Sequence, residues 1–184
     1  PMKNIGRPMK GMSAREVARI GLLSSAAVIL FVLEGLAPRP LPWMKLGLGN
    51  LPVLVALLIH GVGAAFGVSG VKLLLGGLLS GSLGGPAFVI GAGAGWASLL
   101  VMAVSRRVAG GRFSPIGLSI LGASTHQLAQ LLIAQFYVGH IGLLSLLPLS
   151  LLSGLFSGGL IGLLGFWICK KIEMEEYPPK EPRG

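Results

Sequence analysis

Glutamate, lysine, asparagine, histidine and glutamine set inside long apolar runs are the residues of this chain that could do chemistry. Charged side chains are costly in lipid, about 2.5–3.5 kcal/mol for a central charge on insertion scales, and they are usually kept for function or internal pairing. Glu34 lies near the end of the first apolar run. Lys45 follows the loop Pro38-Arg39-Pro40-Leu41-Pro42-Trp43, so the two could meet at the outer face. They would form a structural ion pair, reach the headgroups, or make the charged rim of an outward-facing binding site. Asn50 closes the stretch Lys45-Leu46-Gly47-Leu48-Gly49-Asn50, whose glycines allow close backbone approach to a ligand or a second helix. It would either cap the helix start or contact a ligand. The richest cluster is Ser124-Thr125-His126-Gln127-Leu128-Ala129-Gln130. His126 and Gln130 are four apart and share a helix face, with Gln127 beside it. A polar stripe at mid-membrane depth points into the bundle or a cavity, for interhelical hydrogen bonding or for ligand contact. One histidine without a nearby carboxylate or cysteine is a poor metal site. His60 reads as a packing residue and His140 as an exposed loop residue.

The elements that must position these residues follow from composition. Of the 184 residues 53% are hydrophobic and 11% charged, with 30 glycines; mean hydropathy is +0.81. Soluble domains carry roughly a quarter charged residues, so this balance points to a bilayer. A spanning helix needs roughly 20 residues, and the charge-free stretches give spans at about 17–37, 47–66, 69–84, 87–105, 116–138 and 146–169. The expected fold is an all-α membrane protein of about six transmembrane helices, a multi-pass protein of the inner or plasma membrane. Residues 1–15 form a basic arm, 16–169 the transmembrane domain, and 170–184 a charged, proline-rich tail. A basic region before the first run also fits a signal peptide, but no small-residue cleavage site follows.

The net charge of +9 does not imply nucleic acid, because the basic residues flank apolar runs. With six spans, all but two of the 15 lysines and arginines fall on one side, counting Lys72 between the second and third spans; only Arg39 and Lys45 face the other. The positive-inside rule then makes both termini cytoplasmic. Ala14 and Ala18 form a small-xxx-small pair at the start of the first helix, for packing within the bundle or for docking a separate membrane subunit. Gly154, Gly158 and Gly162 make a similar strip. The chain has no aspartate, one cysteine (Cys169) and no phosphate-binding loop. Magnesium-dependent prenyl-diphosphate chemistry and ATP hydrolysis are therefore not expected, nor is any other enzyme activity, cofactor or metal.

Glu34, Lys45 to Asn50, Gly122 to Gln130 and Leu147-Pro148 together resemble the bacterial membrane family labelled heptaprenyl diphosphate synthase component I, also called the Gx transporter family. The resemblance spans most of residues 12–168 and departs at Gln127, where the family has asparagine. Its apparent relatives are the substrate-binding S components of energy-coupling-factor transporters. By that resemblance the fold is an S-component-like bundle. Glu34, Lys45, Asn50, His126, Gln127 and Gln130 would bind a small molecule. Ala14 and Ala18 would dock a coupling subunit that works with ATPases. Two other roles stay open: a membrane subunit of a flavin- and quinone-linked electron-transfer assembly, and a non-catalytic partner in polyprenyl or quinone synthesis.

Overall fold

Ser13 and Glu16 close a capping box: the Ser13 N–H donates to Glu16 Oε2 at 2.9 Å and the Glu16 N–H to Ser13 Oγ at 3.2 Å. This pairing satisfies two of the donors that every helix start leaves open. It begins α1, Ala14–Leu36. A 3-10 turn, Leu48–Asn50, leads into the short α2, Leu51–Ile59. The other helices are α3 (Val62–Leu79), α4 (Pro86–Val108), α5 (Pro115–Val138) and α6 (Leu147–Glu176), the last preceded by a 3-10 segment over Ile141–Leu146. Prolines stand in the first turns of α2, α4, α5 and α6, where the missing N–H has no helical partner to lose. The computed structural model describes residues 13–36, 46–110, 112–139 and 141–176. Lys45 and His140 lie outside the described residues, as does the proline-rich loop before Lys45.

The chain is all-helical among the described residues, and five of its helices are long and apolar enough to cross a membrane. The six-helix reading holds with one correction. The second span ends at Ile59 rather than near residue 66, and the third occupies Val62–Leu79 rather than 69–84. The break is a local backbone event. The His60 and Gly61 N–H groups both return to Ala56 O, at 2.9 and 3.0 Å. Gly61 then takes φ +90°, a conformation that side chains resist. The 12 residues of Leu48–Ile59 extend only about 18 Å, well short of a hydrocarbon core near 30 Å.

Burial explains how so short a helix is accommodated. Pro52 through Leu57 are all buried, so α2 is enclosed on every side. It packs against α1, α3 and α6. Each of its ends meets a charge of the sign its dipole favours. The Glu34 carboxylate accepts the Gly47 N–H at the start, and Arg106 Nη2 donates to Leu58 O at 2.8 Å at the end. Protein groups thus take the place of water at termini where lipid offers no partner.

Helix α3 runs parallel to α1, its Gly76 meeting Phe31, and α3 to α6 alternate in direction. Gly77 of α3 meets Phe88 of α4, Gly122 of α5 meets Met102 of α4, and Gly158 of α6 meets Ile120 of α5. Around the seam of α5 and α6 the glycines are required. A Cβ at Gly158 would lie 2.9 Å from Ile120 Cα, and one at Gly162 would lie 2.6 Å from Ile116 Cα. The outer surface is apolar, with Leu22, Phe136, Phe156 and Trp167 exposed, as helices facing lipid require.

Candidate functional site

The alternation sorts the bundle into two ends. The start of α1, the end of α2 and the α4–α5 connection share one end, which carries Arg15, Arg19, Arg106, Arg107 and Arg112. The last turns of α6 bring Lys170 and Lys171 to the same end. At the opposite end lie the end of α1, the start of α2, the α3–α4 connection and the end of α5.

A cavity of about 810 Å³ opens there. This is within the few-hundred to thousand Å³ range of small-molecule pockets. Its walls bring together Glu34, Asn50, His126, Gln127 and Gln130, five positions scattered along the sequence. Glu34 comes from the last turn of α1, Asn50 from the 3-10 turn, and the other three from the middle of α5. His126, Gln127 and Gln130 can all face it because i, i+1 and i+4 on a helix fall within one broad sector. Gln127 is the most enclosed of the three, its Cγ lying against Gly154 of α6. Lys45 is outside the described residues, so the Glu34–Lys45 pairing has no structural account.

Lys72 also belongs to the site, and it is the residue that sequence reasoning misplaced. It does not sit in a connection at the basic end. It lies within α3, only 4% exposed, and lines the cavity. Its ammonium donates to Asn50 Oδ1 at 2.6 Å. The misplacement followed from the helix break: moving the turn from near residue 67 back to Gly61 carries Lys72 from a loop into the third helix. A lysine alone amid Val71, Leu73, Leu74 and Leu75 was the available signal.

Asn50 makes no capping hydrogen bond through its side chain at the start of α2. Its carbonyl oxygen serves Lys72 instead. Glu34, 8% exposed, accepts from the Gly47 N–H, and Asn50 N–H donates to Gly47 O at 2.8 Å. Glu34 and Lys72 therefore grip opposite ends of one short turn, Gly47 to Asn50. Gly47 enters that turn at φ +76°, in the left-handed region where glycine is favoured. The turn from Gly47 to Asn50 is thus the strap that joins an anion and a cation at the rim of the cavity.

The apolar part of the wall depends on two neighbouring glycines of α3. A Cβ at Gly76 would collide with the Phe31 ring, and a Cβ at Gly77 would lie 2.9 Å from Phe88 Cδ2. Their absence of side chains lets Phe31 of α1 and Phe88 of α4 lie directly on the α3 backbone. Both rings line the cavity one turn beyond Lys72. On the far side, Ser98 Oγ of α4 donates to Gly122 O of α5 at 2.7 Å, tying together two helices that enclose the site. No group of three or more histidine, cysteine, aspartate or glutamate side chains gathers among the described residues.

A family model described as heptaprenyl diphosphate synthase component I matches residues 23–167. The chain belongs to this family. It is the family that the Lys45–Asn50 and Gly122–Gln130 stretches resemble, and the matched region contains the whole described cavity wall. No curated protein and no solved structure shows a significant match to the chain. Membership and the apolar helices together make this a multi-pass membrane protein of that family.

Proposed function

We propose that this member of the family is a membrane-embedded, substrate-binding subunit of an energy-coupling-factor-type importer, resembling an S component, and is not itself an enzyme. The observation that carries the reading is the cavity: a polar strap and a polar helix face converge on one space of about 810 Å³ at the end opposite the one that carries Arg15, Arg19, Arg106, Arg107 and Arg112. The positive-inside rule puts the basic end and both termini in the cytoplasm of a cell's inner or plasma membrane. The cavity then opens outward, where an importer must receive its cargo. Glu34, Asn50, His126, Gln127 and Gln130 contact the small molecule, and Lys45, outside the described residues, is assigned the same role.

A coupling subunit with ATPases would supply the energy, since this chain has no phosphate-binding loop. Its docking strip is Ala14 and Ala18, which lie exposed on α1. The same exposed face continues through Gly21 and Ser25, and a Cβ at Gly21 would meet nothing within 4 Å. The α6 glycines differ, because Gly158 and Gly162 are covered by α5. A flat strip left uncovered suits close approach of a partner helix.

Native mass spectrometry of protein purified gently from its own membrane tests the binding role. A co-purifying small molecule, depleted in His126→Ala, is the expected result. Flavoprotein subunits without any small molecule would overturn the importer reading in favour of an electron-transfer assembly. Ala14→Leu and Ala18→Leu are expected to stop uptake while leaving the bound molecule in place.

A further inference from the structure

We infer that the cargo is a flat ring compound whose edge carries an N–H beside a C=O, as in a lactam or a ring carboxamide, lying on Gly91 and Gly95 of α4 and paired with the side-chain amide of Gln127. This deepens the binding-subunit reading and rests on it. Three features of the cavity carry it.

The first is the amide of Gln127. The residue is 7% exposed and lines the cavity. Among the described residues no protein group hydrogen-bonds its side chain. A buried polar group left without a partner is an exception in folded proteins and costs stability. The fully enclosed side-chain atoms that lack a partner are Gln135 Oε1 and Ser150 Oγ among the described residues. Gln127 is not one of these, so its amide opens on the cavity. A C=O and an NH2 side by side match an N–H beside a C=O through two parallel hydrogen bonds, the pairing by which glutamine reads the edge of a base.

The second is the wall that α4 contributes. Gly91, Gly95, Ser98 and Met102 recur at i, i+4, i+7 and i+11, so they share one face, and all four line the cavity. Glycine inside a helix is less favourable than alanine, and in membrane helices it is kept where a neighbour comes close. Gly93 and Gly122 have such neighbours: a Cβ would lie 2.6 Å from Ile133 Cδ1 at the first and 2.5 Å from Met102 Sδ at the second. A Cβ at Gly91 or Gly95 would meet nothing within 4 Å, so no protein neighbour accounts for these two. One turn apart, they leave about 6 Å of bare backbone. That is the breadth of one ring, and a flat molecule can lie directly on it.

The third is the register of α4 against α5. Ser98 bonds Gly122 O, and Gly93 meets Ile133. Gly95 falls between the two α4 positions, and Gln127 and Gln130 between the two α5 positions, so the bare wall and the amide stand at one depth. A ring laid on α4 turns its edge to α5, where Gln127 waits. The charged groups Glu34 and Lys72 have protein partners in the Gly47–Asn50 turn. Nearer the basic end, Leu54, Met102, Ser119, Gly122 and Ile161 bring no ionisable group. An alkyl chain would leave the Gln127 amide unpaired, and a phosphate would find no cation on that floor.

The experiment is mass spectrometric identification of the small molecule released on denaturing protein purified from host membranes, comparing the natural chain with Gln127→Leu, Gly91→Leu, Gly95→Leu and Gly67→Leu. Gly67 of α3 also has nothing within 4 Å of a Cβ position, but it is not part of the cavity wall. Elution volume and thermal unfolding establish that each variant is folded. The natural chain is expected to release a flat ring compound with an N–H beside a C=O. Gln127→Leu should lower its occupancy about tenfold or more, as loss of paired hydrogen bonds does, without lowering the unfolding midpoint of the emptied protein, since no protein group loses a partner. Gly91→Leu and Gly95→Leu should expel the compound, and Gly67→Leu should keep it. Gly95→Ala, which should lower occupancy in a folded protein, decides the matter if the leucine variants do not fold. A released molecule without a ring, or without the N–H beside a C=O, would overturn the inference and leave the binding-subunit reading intact. So would unchanged occupancy in Gln127→Leu or in the folded Gly95 variants, or an equal loss in Gly67→Leu. A phospholipid as the sole bound molecule would overturn the inference as well, and no bound molecule at all would overturn both.

Discussion

At the scale of single residues, the site rests on two charges that meet one short turn from opposite directions. Glu34 accepts the N–H that opens the turn, and Lys72 donates to the side chain that closes it. Removing either contact exposes a buried polar group to a medium that cannot repay it, at about 1–3 kcal/mol. Asn50→Ala should therefore lower the thermal unfolding midpoint in detergent, and Glu34→Ala should do the same through the orphaned Gly47 N–H. The double variant Asn50→Ala with Glu34→Ala should cost less than the sum, because both changes release the same turn. Strict additivity in a double-mutant cycle would show instead that the two contacts act independently.

Elements add a constraint that single contacts do not. The α5–α6 seam brings backbone against backbone at Gly158 and Gly162, so a branched side chain there must push the helices apart. Gly158→Leu and Gly162→Leu should each destabilise by roughly 3 kcal/mol or more, the upper part of the range for overpacking. Gly159, beside them in sequence, has nothing within 4 Å of a Cβ position. Gly159→Ala should leave the midpoint unchanged, and equal losses at 158 and 159 would refute the seam. The turn after α2 is a second such point. Gly61→Ala must hold φ near +90°, at a cost of about 1–3 kcal/mol, and should loosen the step that carries Lys72 into the bundle. Reduced occupancy of the cavity ligand in that variant, with helical content retained, would show this coupling.

For the molecule as a whole the decisive property is its two unlike ends. Basic residues collect at one and the cavity opens at the other, so membrane orientation fixes which compartment the site samples. Cysteine labelling with a membrane-impermeant maleimide, on a Cys169→Ser background, reads this directly. Leu83→Cys, in the connection between α3 and α4, should be labelled in intact cells. Phe113→Cys, in the connection between α4 and α5, should be labelled only after the membrane is opened. The reverse pattern would turn the cavity toward the cytoplasm and remove the basis for import from outside.

Helical class, membrane residence and the approximate positions of the four longest spans were legible from apolarity alone, since a bilayer imposes one length and one backbone solution on any such run. The stripe of His126, Gln127 and Gln130 was legible too, because helix periodicity is local and puts neighbours four apart on one side. Family resemblance was carried by contiguous stretches and needed no tertiary information. The length of α2 and the place of Lys72 were not legible in this way. A helix too short to cross lipid looks, in sequence, like the first part of a longer one. What makes Leu48–Ile59 stable is its enclosure by α1, α3 and α6 and the charges that Glu34 and Arg106 bring to its ends. Glycine strips pose the same difficulty: the small residues of α1 and α6 read alike, yet those of α6 are covered by α5 and those at the start of α1 are not. Sequence determines what each segment can bury, through its own composition and period. Which partner covers it, and which polar group it must then satisfy, depends on segments far along the chain, and so was decided only when the helices packed.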